Sequence, residues 1–193
     1  MHLAEIETQA WMSLKAAAED PQSAFRYLTL SSVDQWNKPQ ARVVVLRQAE
    51  HTIRSLEFHT DLRSSKWQEL SKNPSVTVLG YCSDTRTQLR FSGTAELFGP
   101  QSEKAESAWE ALPPWTRTTY QGGPPGDELA FEQNDRAISA APEPDAAGKD
   151  CFGVISFTAS SLDWFQLQRK NNKRALFRYS GSDEQISSCW VNP

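Results

Sequence analysis

Two neighbouring segments of the sequence carry side chains that could bind an anion. In the first, four apolar residues separate Arg42 from Arg47, and a strand of this kind buries its middle while presenting a guanidinium group at each end. In the second, Phe58 precedes a run of donors, of which the clearest are Thr60, Ser64, Ser65 and Lys66. A helix that begins here would add free N–H groups and positive potential. The two segments together predict a phosphate site, with solvated arginines at strand ends as the alternative for the first.

Other kinds of catalytic site find little support in the sequence. It contains no G-x-G-x-x-G after a strand, no G-x-x-x-x-G-K-[ST], no H-E-x-x-H and no G-x-S-x-G. Because the histidines are only His2, His51 and His59, a histidine-based triad is not favoured. The three cysteines are far apart and odd in number, so we expect neither a disulfide framework nor a metal site. No catalytic residue is assigned from the sequence.

The composition bounds the class of protein. The chain has 193 residues, 38% hydrophobic and 23% charged, which fits one globular domain over residues 1–193. Lys and Arg number 20 against 24 Asp and Glu; since general nucleic-acid binders are usually basic, a small-molecule partner is favoured over nucleic acid. No apolar run approaches the roughly 18 residues that cross a bilayer. The N-terminus carries acids where a secretory signal carries bases, so we expect a cytoplasmic protein without a membrane partner.

Apolar spacing and turn residues place these segments in a mainly β chain. Helical patterns occupy residues 3–18, 62–72 and 101–112, the second with Asp61 as its N-cap. The predicted strands are residues 25–31, 41–47, 52–60, 75–82, 86–98, 151–158, 163–167, 174–179 and 185–191. Prolines and glycines concentrate in residues 113–150, which predicts a long functional or mobile loop. Many short strands with few crossover helices favour an antiparallel barrel.

Four motifs in order resemble those of the pyridoxamine 5′-phosphate oxidase-like FMN-binding split barrels. Arg42–Arg47 matches that family's strand R-x-V-L-L-K/R. Phe58–Lys66 is similar to its aromatic-x-T-N/D followed by S-x-K, and Thr87–Gly93 to its R-Q-V-x-x-x-G, with Gln88 as the glutamine. Trp164 precedes Arg174 by ten residues, as in the family's fourth motif.

The resemblance implies a fold, a cofactor and an assembly. The fold is a mainly β, six-stranded antiparallel split barrel with peripheral helices, and the chain forms a homodimer with FMN at the subunit interface. Arg42 and Lys66 bind the phosphate with Thr60 and Ser65, Arg47 lies nearer the ring, and Gln88 bonds its polar edge. Trp164 and Arg174 reach the flavin from the other subunit, unless Trp164 is an ordinary core aromatic. The remaining cofactor-binding positions implied by the motifs are Val43, Leu46, His59 and Ser64.

The chain also departs from the family pattern. Ser65 stands where the family often has Arg, which removes one charge from the phosphate site and predicts weaker FMN binding. Lys170–Asn172 replaces the R-x-H substrate signature of the vitamin B6 oxidases, so Lys170 and Asn172 are weak substrate candidates and pyridoxamine phosphate is expected to be a poor substrate. The function expected is an FMN-dependent oxidoreductase acting on an unidentified small substrate. The alternatives are a non-catalytic flavin-binding or carrier protein, or a split barrel holding another cofactor such as haem.

Overall fold

The structure is a computed structural model that describes residues 2–127, 148–180 and 186–193. Its helices are α1 (Leu3–Glu19), α2 (Ser65–Lys72), α3 (Glu103–Ala111) and α4 (Pro114–Arg117), the last followed by a 3-10 turn, Thr118–Tyr120. Its strands are β1 (Tyr27–Val33), β2 (Pro39–Glu50), β3 (Ser55–Asp61), β4 (Ser75–Cys82), β5 (Thr87–Phe98), β6 (Phe152–Gln166), β7 (Lys173–Tyr179) and β8 (Ile186–Val191). The loop predicted at 113–150 is therefore helical in part, and residues 128–147 lie outside the described residues.

Six of these strands close into a barrel. They pair antiparallel in the order β3-β2-β1-β4-β5-β6, and a further β3–β6 pairing joins the two edges. Closure satisfies the backbone groups that an open sheet would leave at its edges. This confirms the predicted six-stranded antiparallel barrel with peripheral helices. Strands β7 and β8 continue the sheet outward from β6.

Strand β6 serves both the barrel and its extension. Its first part pairs with β3 through residues 152–158, its last part pairs with β7 through residues 161–166, and β5 runs along both parts. The prediction of two strands separated after residue 158 is therefore wrong. A bulge in β6 leaves its extra residue, Ser160, opposite the step between Ser92 and Gly93 of β5, so the ladder continues past this point.

Alternating side chains of the strands fill the barrel, and one face of α1 covers one end. Leu30, Leu46, Phe58 and Phe157 are completely buried or nearly so, and Trp11 of α1 is 1% exposed. Each such side chain contributes roughly 1.5–3 kcal/mol through burial. The period-two pattern in the strands and the period of about 3.6 in α1 therefore select the faces that meet in the core. No helix of the described residues is long and apolar enough to cross a membrane.

A second apolar cluster attaches α3 and the turn after α4 to the outside of the barrel. Trp109, Tyr120 and Phe152 have ring centroids 5.1–5.8 Å apart, in tilted or edge-on geometry. Aromatic pairs of this kind add to the energy gained by burial alone. The cluster holds these elements against β6, beside the strands that carry the predicted FMN motifs.

Helix α2 begins later than the sequence suggested. Its N-cap is Ser64, so the assignment of Asp61 as N-cap is wrong. Asp61 is still paired in the β3–β6 ladder opposite Phe152, and its carboxylate accepts hydrogen bonds from the backbone and the guanidinium of Arg63. Strand pairing thus holds Asp61 outside the helix.

Candidate functional site

The predicted phosphate ligands meet where β3 turns into α2. The Thr60 and Ser64 hydroxyls lie 3.2 Å apart, and Ser64 Oγ also receives a hydrogen bond from Lys66 Nζ at 3.3 Å. Both hydroxyl residues are buried. Burial lowers the pKa of Lys66, and the nearby charge of Arg42 lowers it further. Two cations held close together beside buried hydroxyls fit a phosphate group.

Arg42 is held in place by a residue that the sequence analysis missed. Glu69 of α2 is buried and its Oε2 accepts from Arg42 Nη2 at 2.7 Å, while Ser32 of β1 bonds to both side chains. The only available signal was the position of Glu69 three residues after Lys66, which places the two on neighbouring parts of the helix surface. Glu69 orients the guanidinium and partly offsets its charge.

The other residues of the first two motifs divide between the inside and the outside of the barrel. Leu46 is fully buried in the barrel core, whereas Val43 is 66% exposed on the outer face of β2. Ser65 is exposed and lines a shallow groove of about 350 Å³ beside Trp36 and Glu69. The side chain of Leu46 therefore supports the strand from within, and Val43 and Ser65 are open to a ligand.

Arg47 and His59 lie together in a separate cleft of about 870 Å³. The outer faces of β2 and β3 form its floor, and α3 and α4 form its wall, with Lys104 and Trp115 among the lining residues. Glu57 joins the two sides: its carboxylate lies 3.4 Å from His59 Nε2 and 3.3 Å from Lys104 Nζ. This volume is in the range of small-ligand sites.

Polar atoms of this cleft are buried without partners. Three buried side-chain atoms have no hydrogen-bond partner among the described residues, and two of them, Arg47 Nε and His59 Nδ1, belong to residues lining the cleft. Burial lowers the pKa of His59 against the opposing effect of the Glu57 hydrogen bond, and Arg47 lowers it further. His59 is therefore neutral at pH 7. Since an unpaired buried polar atom costs about 1–3 kcal/mol, both atoms point to a ligand that pairs them.

The register places Gln88 beside Arg174 on the outer face of the sheet. Gln88, Phe165 and Arg174 lie opposite one another on β5, β6 and β7, and directly paired residues share a face. Trp164 lies on the other face, 6% exposed, with its ring edge-on to Trp190 at 6.5 Å. Within one chain Trp164 is thus a core residue, and Gln88 and Arg174 are about 10 Å apart across two strand spacings.

Arg174 is bound by a second residue that the sequence analysis missed. Asp163 is 5% exposed and accepts from Arg174 Nε at 2.9 Å and Nη2 at 2.8 Å, while Arg90 bonds to the same carboxylate. Burial acts to raise the pKa of Asp163, but the hydrogen bonds and charges of Arg174 and Arg90 outweigh it, so the pKa is lowered. The carboxylate is ionised at neutral pH and is shared by two guanidinium groups.

The weak substrate candidates lie in the turn between β6 and β7. Lys170 and Asn172 are both exposed. Asn172 Oδ1 accepts a hydrogen bond from the backbone N–H of Gln168 at 2.9 Å, and Asn171 has a positive φ of 60°. Asn172 therefore stabilises the turn, and one of its polar atoms is already occupied.

Comparison with known proteins finds similarity to FMN-binding oxidases. A family model described as the pyridoxamine 5′-phosphate oxidase FMN-binding domain matches residues 8–99, which contain the first three motifs. A pyridoxine/pyridoxamine 5′-phosphate oxidase 2 of Arabidopsis thaliana is 28% identical over 179 residues, covering 86% of this chain and 87% of the relative. Over residues 8–99 the chain is similar to the pyridoxamine 5′-phosphate oxidase FMN-binding domain, and FMN is the cofactor of the matched domain.

Solved structures agree on the fold over the whole length. An FMN-binding protein of Nostoc punctiforme related to pyridoxamine 5′-phosphate oxidase superposes with a TM-score of 0.81 at 24% identity, with 100% of both chains covered. PhzG of Burkholderia lata, in complex with tetrahydrophenazine-1-carboxylic acid, gives 0.75 at 16% identity, with 96% of this chain and 90% of that chain covered. Both support the split-barrel fold beyond residue 99, where the match to the family model ends.

Proposed function

We propose that the chain is an FMN-dependent oxidoreductase that works as a homodimer on a small anionic substrate. The observation that carries the proposal is the pair of unpartnered buried atoms, Arg47 Nε and His59 Nδ1, of residues lining one cleft in an FMN-binding domain. FMN, when bound, supplies hydride and single-electron chemistry. The protein supplies binding, orientation and charge.

The phosphate end of FMN belongs to the cluster at the start of α2. Lys66 and Arg42 provide two positive charges and Thr60 and Ser65 provide hydroxyl groups, whereas the O–H of Ser64 donates to the Asp61 carbonyl at 2.6 Å. Burial and, after it, the charge of Arg42 lower the pKa of Lys66, and a dianion that lies between the two cations offsets both effects. Glu69 keeps Arg42 in position, and its negative charge offsets part of the positive charge of Arg42 and Lys66.

The cleft is suited to a substrate with an anionic group and a polar hydrogen. Arg47 donates to the anion, and no carboxylate among the described residues pairs with it. The Glu57 carboxylate accepts a hydrogen bond from the N–H at His59 Nε2, which leaves Nδ1 without a proton as an acceptor for an O–H or N–H of the ligand. Lys104 adds a donor at the wall. Arg47, His59 and Lys104 all line the cleft, so they can contact one ligand without a rearrangement of the backbone.

A homodimer is supported by apolar side chains on the outer face of the sheet. Tyr27, Val43 and Tyr81 are 57%, 66% and 47% exposed, and by register they share the face that carries Gln88 and Arg174. A two-fold contact through this face would bury them and bring Gln88 and Arg174 of one chain to the flavin held by the other. The resemblance implied that Gln88 comes from the same chain as Arg42 and Lys66; we assign it instead to the second chain because it lies beside Arg174.

The test is FMN titration of the purified protein, followed by fluorescence quenching. Lys66→Ala removes a charge-assisted phosphate contact and is expected to weaken FMN binding about tenfold to a hundredfold. Lys15→Ala is the matched control, because Lys15 is an exposed lysine on a different helix, α1; it should bind as the parent does. Equal affinity of the Lys66 variant and the parent would overturn the phosphate assignment.

Turnover is tested separately by anaerobic mixing with NADH, NADPH and pyridoxamine phosphate while flavin bleaching is followed. Bleaching by at least one donor supports an oxidoreductase, and none with any donor favours a flavin-binding protein. We expect pyridoxamine phosphate to be the weak donor, since Lys170–Asn172 lacks the R-x-H signature and Asn172 already bonds within its turn. A kcat/KM above about 10⁴ M⁻¹s⁻¹ for that substrate would contradict this expectation.

A further inference from the structure

One carboxylate organises the cationic part of the outer sheet face. Asp163 is 5% exposed, and both of its oxygens are used by Arg174, through Nε at 2.9 Å and Nη2 at 2.8 Å. Arg90 bonds only to Oδ2 of the same carboxylate. Two guanidinium groups and one carboxylate leave a net charge of +1 on this face.

The two hydrogen bonds to Asp163 fix the plane of the Arg174 guanidinium. Nε and one N–H of Nη2 are directed at Asp163, which leaves both N–H groups of Nη1 and one of Nη2 for another acceptor. The side chain of Arg174 is 34% exposed, so these groups are reachable from outside. A bidentate contact restricts orientation in a way that a single contact does not. Arg174 is therefore a pre-oriented donor.

The cluster of Asp163, Arg90 and Arg174 lies on the same sheet face as Gln88, which the motifs assign to the flavin site. Asp163 lies opposite Arg90 and Leu176, one row away from Gln88, Phe165 and Arg174 on the same face. Gln88 and Arg174 come from motifs 86 residues apart in the sequence (174 minus 88), yet the fold places them in one row. Asp163 contacts this row through its hydrogen bonds to Arg174, and its own carboxylate is buried.

We propose that Asp163 is a positioning residue that orients Arg174 toward the flavin held by the partner subunit. The inference rests on the proposed FMN site at the dimer interface and assigns it a residue outside the four motifs. Asp163 acts only through Arg174. Asp163 is 5% exposed whereas the Arg174 side chain is 34% exposed, so a buried carboxylate fixes a guanidinium whose remaining N–H groups are accessible to a ligand.

The test is a double-mutant cycle read out by FMN affinity in the dimeric protein. Arg174→Gln and Asp163→Asn are each expected to weaken FMN binding about tenfold. In the Arg174→Gln background, Asp163→Asn should change the affinity less than twofold, because the residue it positions is gone. Arg90→Gln is the matched control: it removes the other arginine from the same carboxylate and should leave FMN affinity within twofold.

Three results would overturn the inference: FMN affinity unchanged in Asp163→Asn, an equal further loss in the Arg174→Gln background, or an Arg90→Gln loss as large as that of Asp163→Asn. Arg174→Lys keeps the charge and the fold without the two-point grip, so it covers the case in which Asp163→Asn does not fold. It should lose as much affinity as Arg174→Gln, and parent-like binding would contradict the proposal. If Lys66→Ala weakens FMN binding and these variants do not, the inference fails while the proposed FMN site stands.

Discussion

At the scale of single residues, the structure assigns His59 a more specific role than the sequence motif did. Its place in the second motif predicted a contact with the cofactor and no chemistry of its own. In the fold, its side chain is 8% exposed, its Nε2 lies against Glu57 and its Nδ1 has no partner among the described residues. The burial that makes Nδ1 a good ligand acceptor also disfavours a positive charge on the ring.

The lowered pKa of His59 predicts a dependence of stability on pH. Burial, and secondarily the charge of Arg47, keeps the ring neutral in the folded state, whereas in the unfolded chain it protonates near its ordinary pKa of about 6.5. Its contribution is therefore retained above pH 6.5 and is lost as the pH falls toward the lower folded value. Urea unfolding at pH 7.5 and 5.5 should show a larger loss for the parent than for His59→Phe, and equal losses would contradict the assignment.

The cofactor motifs could be found from the sequence because they are local, whereas their supporting residues could not. Arg42 and Arg47 lie on one strand, and Thr60 and Lys66 on one turn, so spacing reveals them. Glu69 meets Arg42 across 27 positions and Asp163 meets Arg90 across 73. Such pairs exist only after strands and helix have packed, and no periodicity marks them.

At the scale of elements, a bulge in β6 opposite Ser92 and Gly93 of β5 lies where β6 passes from its pairing with β3 to its pairing with β7. Gly93 lies at the bulge, and a Cβ there would be 2.0 Å from the carbonyl oxygen of Thr158 and 2.9 Å from the ring of Phe157. The glycine of the third motif is thus needed for close approach of two backbones. Sequence patterns showed strands on both sides of residues 159–162 but could not show that this bulge keeps them continuous.

Gly93→Ala tests, through protein stability, whether the close approach of β5 and β6 requires glycine at this position. The added methyl group cannot fit against a carbonyl of the backbone, so the free energy of unfolding should fall by about 3 kcal/mol, the upper range for overpacking. Gly99→Ala is the control, since a Cβ at Gly99 meets nothing within 4 Å, and it should change the value by no more than about 0.5 kcal/mol. Chemical denaturation measures both. A Gly93 variant as stable as the control would mean that the β5–β6 contact is looser than described.

At the scale of the molecule, the barrel is closed, whereas part of its outer face remains exposed to solvent. Its interior is filled, but the face carrying Tyr27, Val43 and Tyr81 stays uncovered within the described residues. The phosphate cluster lies at the start of α2, and the Gln88–Arg174 row crosses β5, β6 and β7, where the sheet continues beyond the barrel. The homodimer that we propose would bring the two parts together through a second copy of the chain.

The assembly gives the last prediction. The parent should run in light scattering at twice 21.7 kDa and bind one FMN per chain. Tyr81→Arg adds a cation to a face that already carries Arg90 and Arg174, so it should give monomers with weakened FMN binding because like charges and a lost aromatic contact oppose the interface. Ile53→Arg is the control, as Ile53 is 64% exposed in the turn between β2 and β3, and it should remain dimeric. A monomeric parent that still holds one FMN per chain would show that one chain completes the site, and both the dimer and the role of Arg174 across it would then be wrong.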